Sequence, residues 1–433
     1  MQQSIQHDLL TVWRKHADTL GERIETGIEK HRKADACITL CSGAAPLANT
    51  KVTIKQQSHS FHFGCNSFMY RGYESDKLNA AWHEQFCRIF NMAVVPFFWG
   101  SYEPEQGKLR YDSDSEPMWR RPPVDWVMDW CEERGLTPKG HNMFWPSNAD
   151  LMPNWLPEDP EAWWPLIEKR FQQLSERYGS RIPMWDVVNE VFKSERHLKC
   201  PKGYVERCYQ LANQLFPNAE LLVNETTGHS WNWYMREYSP YVLFIERLLS
   251  QGCRVDKIGM QHHLFSMQQD IAGRVTEGAN SLPHEMAVLD TYWDRFSKPI
   301  HISEVTVPGA GAYADPLNIQ AELTRDFYRA WFSHPGVDAI VWWNFADGAA
   351  YNTEGMFEGG LMNPDLTAKP VYEALDELIN HEWHTELTLT TDAEGKLSFC
   401  GFCGTYELKA GSETFTHCLD QTVQEPVTIN LES

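Results

Sequence analysis

The sequence predicts an α/β chain: a (β/α)8 TIM barrel with a small β-sandwich formed from its N- and C-terminal segments. Three observations predict it. Eight short apolar runs recur between helical segments from about residue 61 to about residue 345, and that many alternating β and α units close into a barrel. Polar side chains collect at the C-terminal ends of those runs, the end that opens onto the site in such barrels. On both sides of the barrel pattern the period changes to alternation, which reads as half-buried antiparallel strands.

The bulk properties agree with one large domain plus an appendage, since 433 residues is too many for a small domain. Apolar residues make up 42% of the chain, with 18 Trp, 21 Phe and 16 Tyr, enough for a substantial core and for stacking flat, partly apolar ligands. A formal charge of −21 argues against nucleic acid or an anionic membrane surface as partner. A polyanionic substrate is disfavoured too, unless a local basic pocket overrides the field. No apolar run has the length of a membrane-spanning helix. The start, Met1-Gln2-Gln3-Ser4-Ile5-Gln6-His7-Asp8, lacks the basic and apolar regions of a signal peptide. The 11 cysteines follow no disulfide spacing. Reduced thiols in a cytoplasm are the simplest expectation, although a secreted chain trimmed of its signal would read the same.

In chain order, residues 4 to 33 read as an amphipathic helix with Ile5, Leu9, Val12, Trp13, Leu20, Ile24 and Ile28 near one face. Cys37–Leu40 and Lys51–Ile54 read as short strands across a turn at Gly43-Ala44-Ala45-Pro46. The eight barrel runs are Phe61–Asn66, Met92–Phe97, Pro138–Trp145, Met184–Glu190, Glu220–Glu225, Lys257–His263, Pro299–Val305 and Ala339–Phe345. Helical patterns lie between them, among them Glu161–Tyr178, Tyr204–Leu215, Tyr241–Leu249 and Ile319–Phe332. After a helix at Pro370–His381, alternation returns in Glu386–Thr390, Leu397–Phe399, Thr405–Leu408 and Val427–Leu431. Two or three strands at either end are marginal alone, so both ends are expected to share one sandwich. The division is residues 1–34 as a helix, 35–57 plus 384–433 as the sandwich, and 58–383 as the barrel.

The chemistry gathers around Met184-Trp185-Asp186-Val187-Val188-Asn189-Glu190, an apolar strand that ends on an amide and a carboxylate. Other strand ends carry His141, Asn142 and Trp145; Asn224 and Glu225; Gln261, His262 and His263; Glu304; and Trp342, Trp343 and Asn344. Glu190 and Glu304 on the fourth and seventh strands face across a barrel mouth. Retaining glycosidases hold such a pair about 5–5.5 Å apart, one as acid/base and one as nucleophile. Asn189 is placed to bond a sugar 2-hydroxyl, and His263 to orient Glu304 and keep it ionised. His262 and His263 point opposite ways on a strand, one toward the site and one into packing. Glu103, Glu105 and Glu225 read as loop or rim charges, with Glu225 near enough to touch substrate. Phe97, Phe98, Trp99 and Tyr102 read equally as rim core or as a stacking wall; Trp119, Trp126 and Trp130 read as packing. Cys400 and Cys403, with Cys37 and Cys41, could form a zinc site. Small apolar residues in a hairpin are the favoured reading, and no metal or cofactor is expected.

Here the sequence resembles family 10 of the glycoside hydrolases, the (β/α)8 endo-xylanases. Trp185-Asp186-Val187-Val188-Asn189-Glu190 is similar to the family's acid/base segment. Phe61–Gly64 resembles its first strand, Lys139–Trp145 its third, Ile258–His263 its sixth, Ile302–Val305 its nucleophile strand, Trp342–Asp347 its eighth, and Lys369–Ala374 its final helix. The likeness covers about residues 60 to 380. It implies Glu190 as acid/base and Glu304 as nucleophile, with Asn189, Gln261, His263, His141, Trp145 and Trp343 framing the sugar at the cleaved bond. The family's Glu-Asn-x-x-Lys cluster, which binds the next sugar inward, is replaced by Val94-Val95-Pro96-Phe97-Phe98-Trp99. Pro146 stands where the family has a second histidine, and Gly348–Glu354 contains no counterpart of its later tryptophan. The expectation is a retaining hydrolase of β-linked glycans or glycosides other than plain xylan. Its rivals are an endo-β-1,4-xylanase with a rebuilt subsite and a non-catalytic carbohydrate-binding barrel. The sandwich, poor in exposed aromatics, is expected to brace the barrel.

Overall fold

The computed structural model describes residues 2–43, 45–146, 151–193, 200–231, 236–422 and 426–431, with side chains described from residue 9 to residue 430 within them. The expected facing of Ile5 therefore lies outside the described side chains, and Ala44 lies outside the described residues. The chain begins with helix α1 (Gln2–Arg32), which buries Leu9, Trp13, Ile24 and Ile28 against the barrel. Trp13 Nε1 donates to Asp326 Oδ2 at 2.9 Å. At Gly27 a Cβ would stand 2.4 Å from the Ser333 carbonyl, so only glycine permits that approach. The helix ends where the Arg32 guanidinium gathers the carbonyls of Phe332, His334 and Val337.

Strands β1 (Lys33–Ser42), β2 (Ala45–Pro46) and β3 (Lys51–His59) follow. The barrel then takes β4 (His62–Asn66), β5 (Met92–Pro96), β6 (Thr137–Phe144), β7 (Met184–Asn189), β8 (Glu220–Glu225), β9 (Lys257–His263), β10 (Ile300–Thr306) and β11 (Val337–Trp342). All eight pair in parallel with their sequence neighbours, and β11 pairs back to β4 to close the ring. Such strands are buried on both faces, which is why each reads as a nearly unbroken apolar run. The outer layer includes α2 (Asp76–Ile89), α3 (Val124–Arg134), α4 (Trp164–Tyr178), α5 (Tyr204–Leu215), α6 (Pro240–Ser250), α7 (Gln268–Thr276), α8 (Leu282–Phe296), α9 (Pro316–Ser333) and α10 (Pro370–Asp376). A Cβ at Gly140 would lie 2.1 Å from the Trp185 ring, so glycine on β6 makes room for the largest side chain of β7. Arg170 from α4, wholly buried, donates to the carbonyls of Phe97, Asn142 and Met143. It thereby ties the ends of β5 and β6, the floor on which the site rests.

The chain closes with β12 (Glu386–Thr390), β13 (Lys396–Phe402), β14 (Gly404–Ala410), β15 (Glu413–Leu419) and β16 (Val427–Leu431). One sheet joins β1 to β13 and β16, and a second has the order β12-β3-β14-β15. Each sheet mixes strands from both ends of the chain, around a core of Ile38, Leu40, Val52, Ile54, Leu397, Tyr406 and Leu408. Strand β15 departs from the expectation of four C-terminal strands. It lies at the edge of its sheet and buries only Leu419 fully, so it carries little apolar alternation. Trp119 also departs from expectation: it is 55% exposed, whereas Trp130 is packed. No helix among the described residues is long and apolar enough to cross a membrane.

Candidate active site

The polar ends of β6 to β11 converge at one mouth of the barrel. At the end of β7 the backbone turns sharply at Glu190, whose φ of 52° lies in the left-handed region. A non-glycine residue there costs on the order of 1 kcal/mol or more. The turn lifts the Glu190 side chain out of the strand into the mouth, and its amide N–H donates to Asn224 O at 3.0 Å.

Glu190 and Glu304 meet through β9. The Gln261 amide Nε2 donates to Glu190 Oε1 at 3.3 Å and to Glu304 Oε1 at 3.2 Å. Those two oxygens are therefore no farther apart than two hydrogen bonds laid end to end. Asn224 on β8 is the hub beneath them. Its Nδ2 donates to Glu304 Oε1 at 2.9 Å and to Asn189 Oδ1 at 3.0 Å, while its Oδ1 accepts from Ser303 Oγ at 2.6 Å. His263 Nε2 lies 3.0 Å from Glu304 Oε2, and its Nδ1 lies 2.9 Å from Thr306 Oγ1. Lys193 Nζ approaches Glu190 Oε2 at 3.3 Å from the solvent side.

Burial pushes the Glu304 carboxyl up to about 8; the charge of Glu190 adds to this, while His141 and the Asn224 hydrogen bond oppose it. Burial likewise pushes the His263 imidazole down to about 4. His263 thus stands against Glu304, and burial disfavours its cationic form. A neutral imidazole fits the geometry, with Nε2–H donating to the carboxyl and Nδ1 accepting from the Thr306 hydroxyl. His141 Nδ1 donates to Asp186 Oδ2 at 2.8 Å, and Lys139 Nζ pairs with Asp186 Oδ1 at 3.0 Å. Burial alone would raise Asp186, but those two neighbours hold its carboxyl below the usual value. His141 Nε2 is left buried with no partner among the described residues, a polar ring nitrogen at the cleft wall.

Trp343 stands with its ring 5.3 Å from His141 and 5.9 Å from His263. Trp145, half-buried, lies 6.2 Å from His141. Asn142 is different. No hydrogen bond joins it to the pair, its Nδ2 is buried without a partner among the described residues, and only its carbonyl is engaged, by Arg170. His262 faces away, with Nε2 2.6 Å from Glu285 Oε1 in the helical layer. The aromatic quartet splits: Phe97, Trp99 and Tyr102 join the main core, whereas Phe98 joins a smaller cluster with Phe68 and Trp343 at the cleft.

Two supposed rim charges are buried. Both carboxyl oxygens of Glu103 are held, by Trp99 Nε1 at 2.9 Å and Gly107 N at 2.7 Å. Glu225 is 1% exposed, with Oε2 accepting from Phe192 N at 3.4 Å and Oε1 without a partner among the described residues. Glu105, in contrast, is exposed and pairs with Lys108. Burial, with the Glu190 charge adding, pushes Glu225 from an ordinary 4.5 up to about 8. The folded protein then holds that proton more tightly than the unfolded chain. The stability this confers is complete below 4.5 and is lost as pH rises through about 8. Glu225→Gln should therefore flatten the fall of stability between pH 5 and 9, by an amount on the order of a few kcal/mol, read as a shallower Tm–pH curve. Parallel Tm–pH curves for the two proteins would show that Glu225 ionises freely when folded.

Residues 96–378 match the sequence model of glycosyl hydrolase family 10. Among curated relatives, the anti-sigma-I factor RsgI6 of Acetivibrio thermocellus is 25% identical over 377 residues, 85% of this chain and 43% of that protein. Endo-1,4-beta-xylanase 3 of Arabidopsis thaliana is 23% identical over 363 residues, 83% of this chain and 43% of that protein. The chain thus spans about two fifths of the length of these relatives. Among solved structures, xylanase 10B from Thermotoga maritima superposes with a TM-score of 0.58 at 22% identity, covering 75% of this chain and 96% of that one. Xylanase 10B from Thermotoga petrophila RKU-1, in complex with xylobiose, gives 0.57 at 20% identity, with 75% and 95% covered. At such identities the likeness concerns the fold.

Proposed function

The chain belongs to glycosyl hydrolase family 10, and on that premise we propose that it is a retaining β-glycoside hydrolase with Glu304 as nucleophile and Glu190 as acid/base. The observation that carries the reading is the single Gln261 amide within hydrogen-bond reach of both carboxyls. In the first step a Glu304 oxygen attacks the anomeric carbon while Glu190 gives its proton to the glycosidic oxygen. The bond to the leaving group breaks, and the sugar stays esterified to Glu304. In the second step Glu190 takes a proton from water, whose oxygen attacks the anomeric carbon and frees Glu304.

Glu304 must be anionic to attack. Three N–H donors face it, from Asn224, Gln261 and His263. Burial offsets them in the empty site and holds one proton on the pair at neutral pH. Positive charge developing at the anomeric carbon favours the Glu304 anion, leaving the proton on Glu190, where the leaving group needs it. His141 Nε2 and the Asn189 amide frame the sugar hydroxyls, and Trp343 and Trp145 supply ring surface.

The substrate is a β-linked glycoside other than unsubstituted xylan, because Phe68, Phe98 and Trp343 wall the inner end of the cleft with apolar rings. The scatter of eleven cysteines without a disulfide spacing supports a reducing compartment. The test is proton NMR of the first product formed from an aryl β-glycoside. The β anomer is expected to appear first and then mutarotate; the α anomer first would establish inversion. Absence of turnover across a broad glycoside panel would favour a barrel that only binds carbohydrate.

A further inference from the structure

Two consecutive arginines, Arg120 and Arg121, are buried at the inner wall of the cleft, 3% and 8% exposed. Neither forms an ion pair with a carboxylate among the described residues. Arg120, with a left-handed φ of 58°, is tied to the fold: its Nη1 donates to Asn344 Oδ1 at 3.2 Å and to the Ala349 carbonyl. Arg121 has far less. Its one side-chain hydrogen bond among the described residues runs from Nη1 to the Arg120 carbonyl at 2.7 Å. Its guanidinium lies over the Phe98 ring, 4.1 Å from the centroid, with Phe68 at 5.6 Å and Tyr351 at 6.0 Å.

Those rings are the cleft wall. Phe98 is 5.4 Å from His141, and Phe68 is 5.4 Å from Trp343. The cation thus stands one ring beyond the residues that frame the sugar at the cleaved bond. A buried charge is costly without a partner of opposite sign, and an adjacent like charge adds to the cost. Burial first, and the charge of Arg120 second, push the Arg121 guanidinium down to about 9. Stacking on Phe98 offsets part of this. Glu354, whose charge favours the guanidinium, is already engaged by Asn344 Nδ2 at 2.9 Å. What remains is a planar fork of N–H donors held over an aromatic wall, with the Arg120 carbonyl as its one acceptor among the described residues. That geometry suits a carboxylate, which offers two coplanar oxygens. The overall charge of −21 repels long polyanions, so a single carboxylate entering a shielded pocket is the ligand that fits.

We propose that Arg121, steadied by Arg120, binds a carboxylate on the next sugar inward from the one at the cleaved bond, toward the non-reducing end, so that the preferred substrate carries a hexuronic acid there. Cleavage of that substrate rests on the hydrolase reading above; its binding does not. The test therefore uses binding as well as turnover. Two ligands are compared by calorimetry on the full chain carrying Glu304→Gln, which keeps them intact. One is an aryl β-glycoside of a disaccharide whose terminal sugar is glucuronic acid; the other is the same compound with that carboxylate reduced to the alcohol. The acid should bind at least roughly tenfold tighter at low salt, the gap narrowing as ionic strength rises. Arg121→Met, added to the same protein, should close the gap, and Arg121→Lys should restore part of it. Equal affinity for the two ligands with Arg121 intact overturns the proposal, even if the Met variant does not fold. A gap that survives Arg121→Met overturns it too. If the acid is preferred but the unmutated protein does not cleave it, the hydrolase reading fails and this one stands. Cleavage of both ligands without preference gives the reverse.

Discussion

Replacing Glu304 with Gln should lower kcat on an activated aryl β-glycoside by roughly 10⁵-fold, the scale seen when a covalent catalyst is removed and the rest of its site remains. The amide is isosteric and keeps the contacts of Asn224 and Gln261, so Tm should hold steady or rise. A rise follows from the raised carboxyl of Glu304: the amide carries no charge to bury. Glu190→Ala should behave differently. With a good leaving group that needs no proton, the first step survives, and a fast burst should precede a slow steady state. Azide, entering the space left by the carboxyl, needs no general base and should restore the second step. The distinction depends on the two residues having unlike surroundings. Glu304 is 3% exposed and ringed by donors, while Glu190 touches Lys193 on the side open to solvent. If the two variants lose activity equally and neither shows a burst, the assigned roles are wrong.

The barrel was legible because parallel strands buried on both faces must be apolar, so the residue at which each turns polar marks the mouth. Val187-Val188-Asn189-Glu190 and Ile302-Ser303-Glu304 show that turn directly. What the sequence hid was contact made only by ring closure. Asn224 reads as one polar strand end among several, yet closure gives it Asn189, Ser303 and Glu304 as partners. Glu103 reads as a rim charge because its partners, Trp99 Nε1 and the Gly107 amide, reveal themselves only once the loop folds back. His263 was placed beside Glu304, but the burial that disfavours its charge comes only with the closed site. Arg120 and Arg121 were not singled out in the sequence. The available signal was local context: two arginines between Trp119 and Pro122-Pro123, in a chain otherwise rich in acid. Edge strand β15 was missed because solvent covers its outward residues and its apolar content is low.

On unsubstituted xylo-oligomers we expect weak, nearly length-independent cleavage, and the inner wall is the reason. Family 10 xylanases place three polar side chains where this chain has Val94 to Trp99. Here Val94 and Phe98 pack with Phe68 and Trp343, and Phe97 and Trp99 lie in the main core. None of these offers a side-chain hydrogen bond to a neutral xylose, since the Trp99 indole N–H is already given to Glu103. Each buried sugar hydroxyl left without a partner costs about 1–3 kcal/mol. Two or three such losses weaken an inner xylose by roughly a hundredfold to far more, at about tenfold per 1.36 kcal/mol. Stacking on Phe98 or Trp343 returns only about 0.5–1.5 kcal/mol. The hydrogen-bond loss wins. Adding one inner xylose should therefore raise kcat/KM by less than about tenfold, where a subsite with its polar contacts intact would raise it by about a hundredfold or more. Aryl β-glycosides that need one well-held sugar should be cleaved better than any plain xylo-oligomer. The measurement is kcat/KM across xylobiose to xylohexaose beside an aryl β-glycoside panel. A steep rise with chain length would mean that other residues have rebuilt the subsite, and an endo-β-1,4-xylanase would then be the better description.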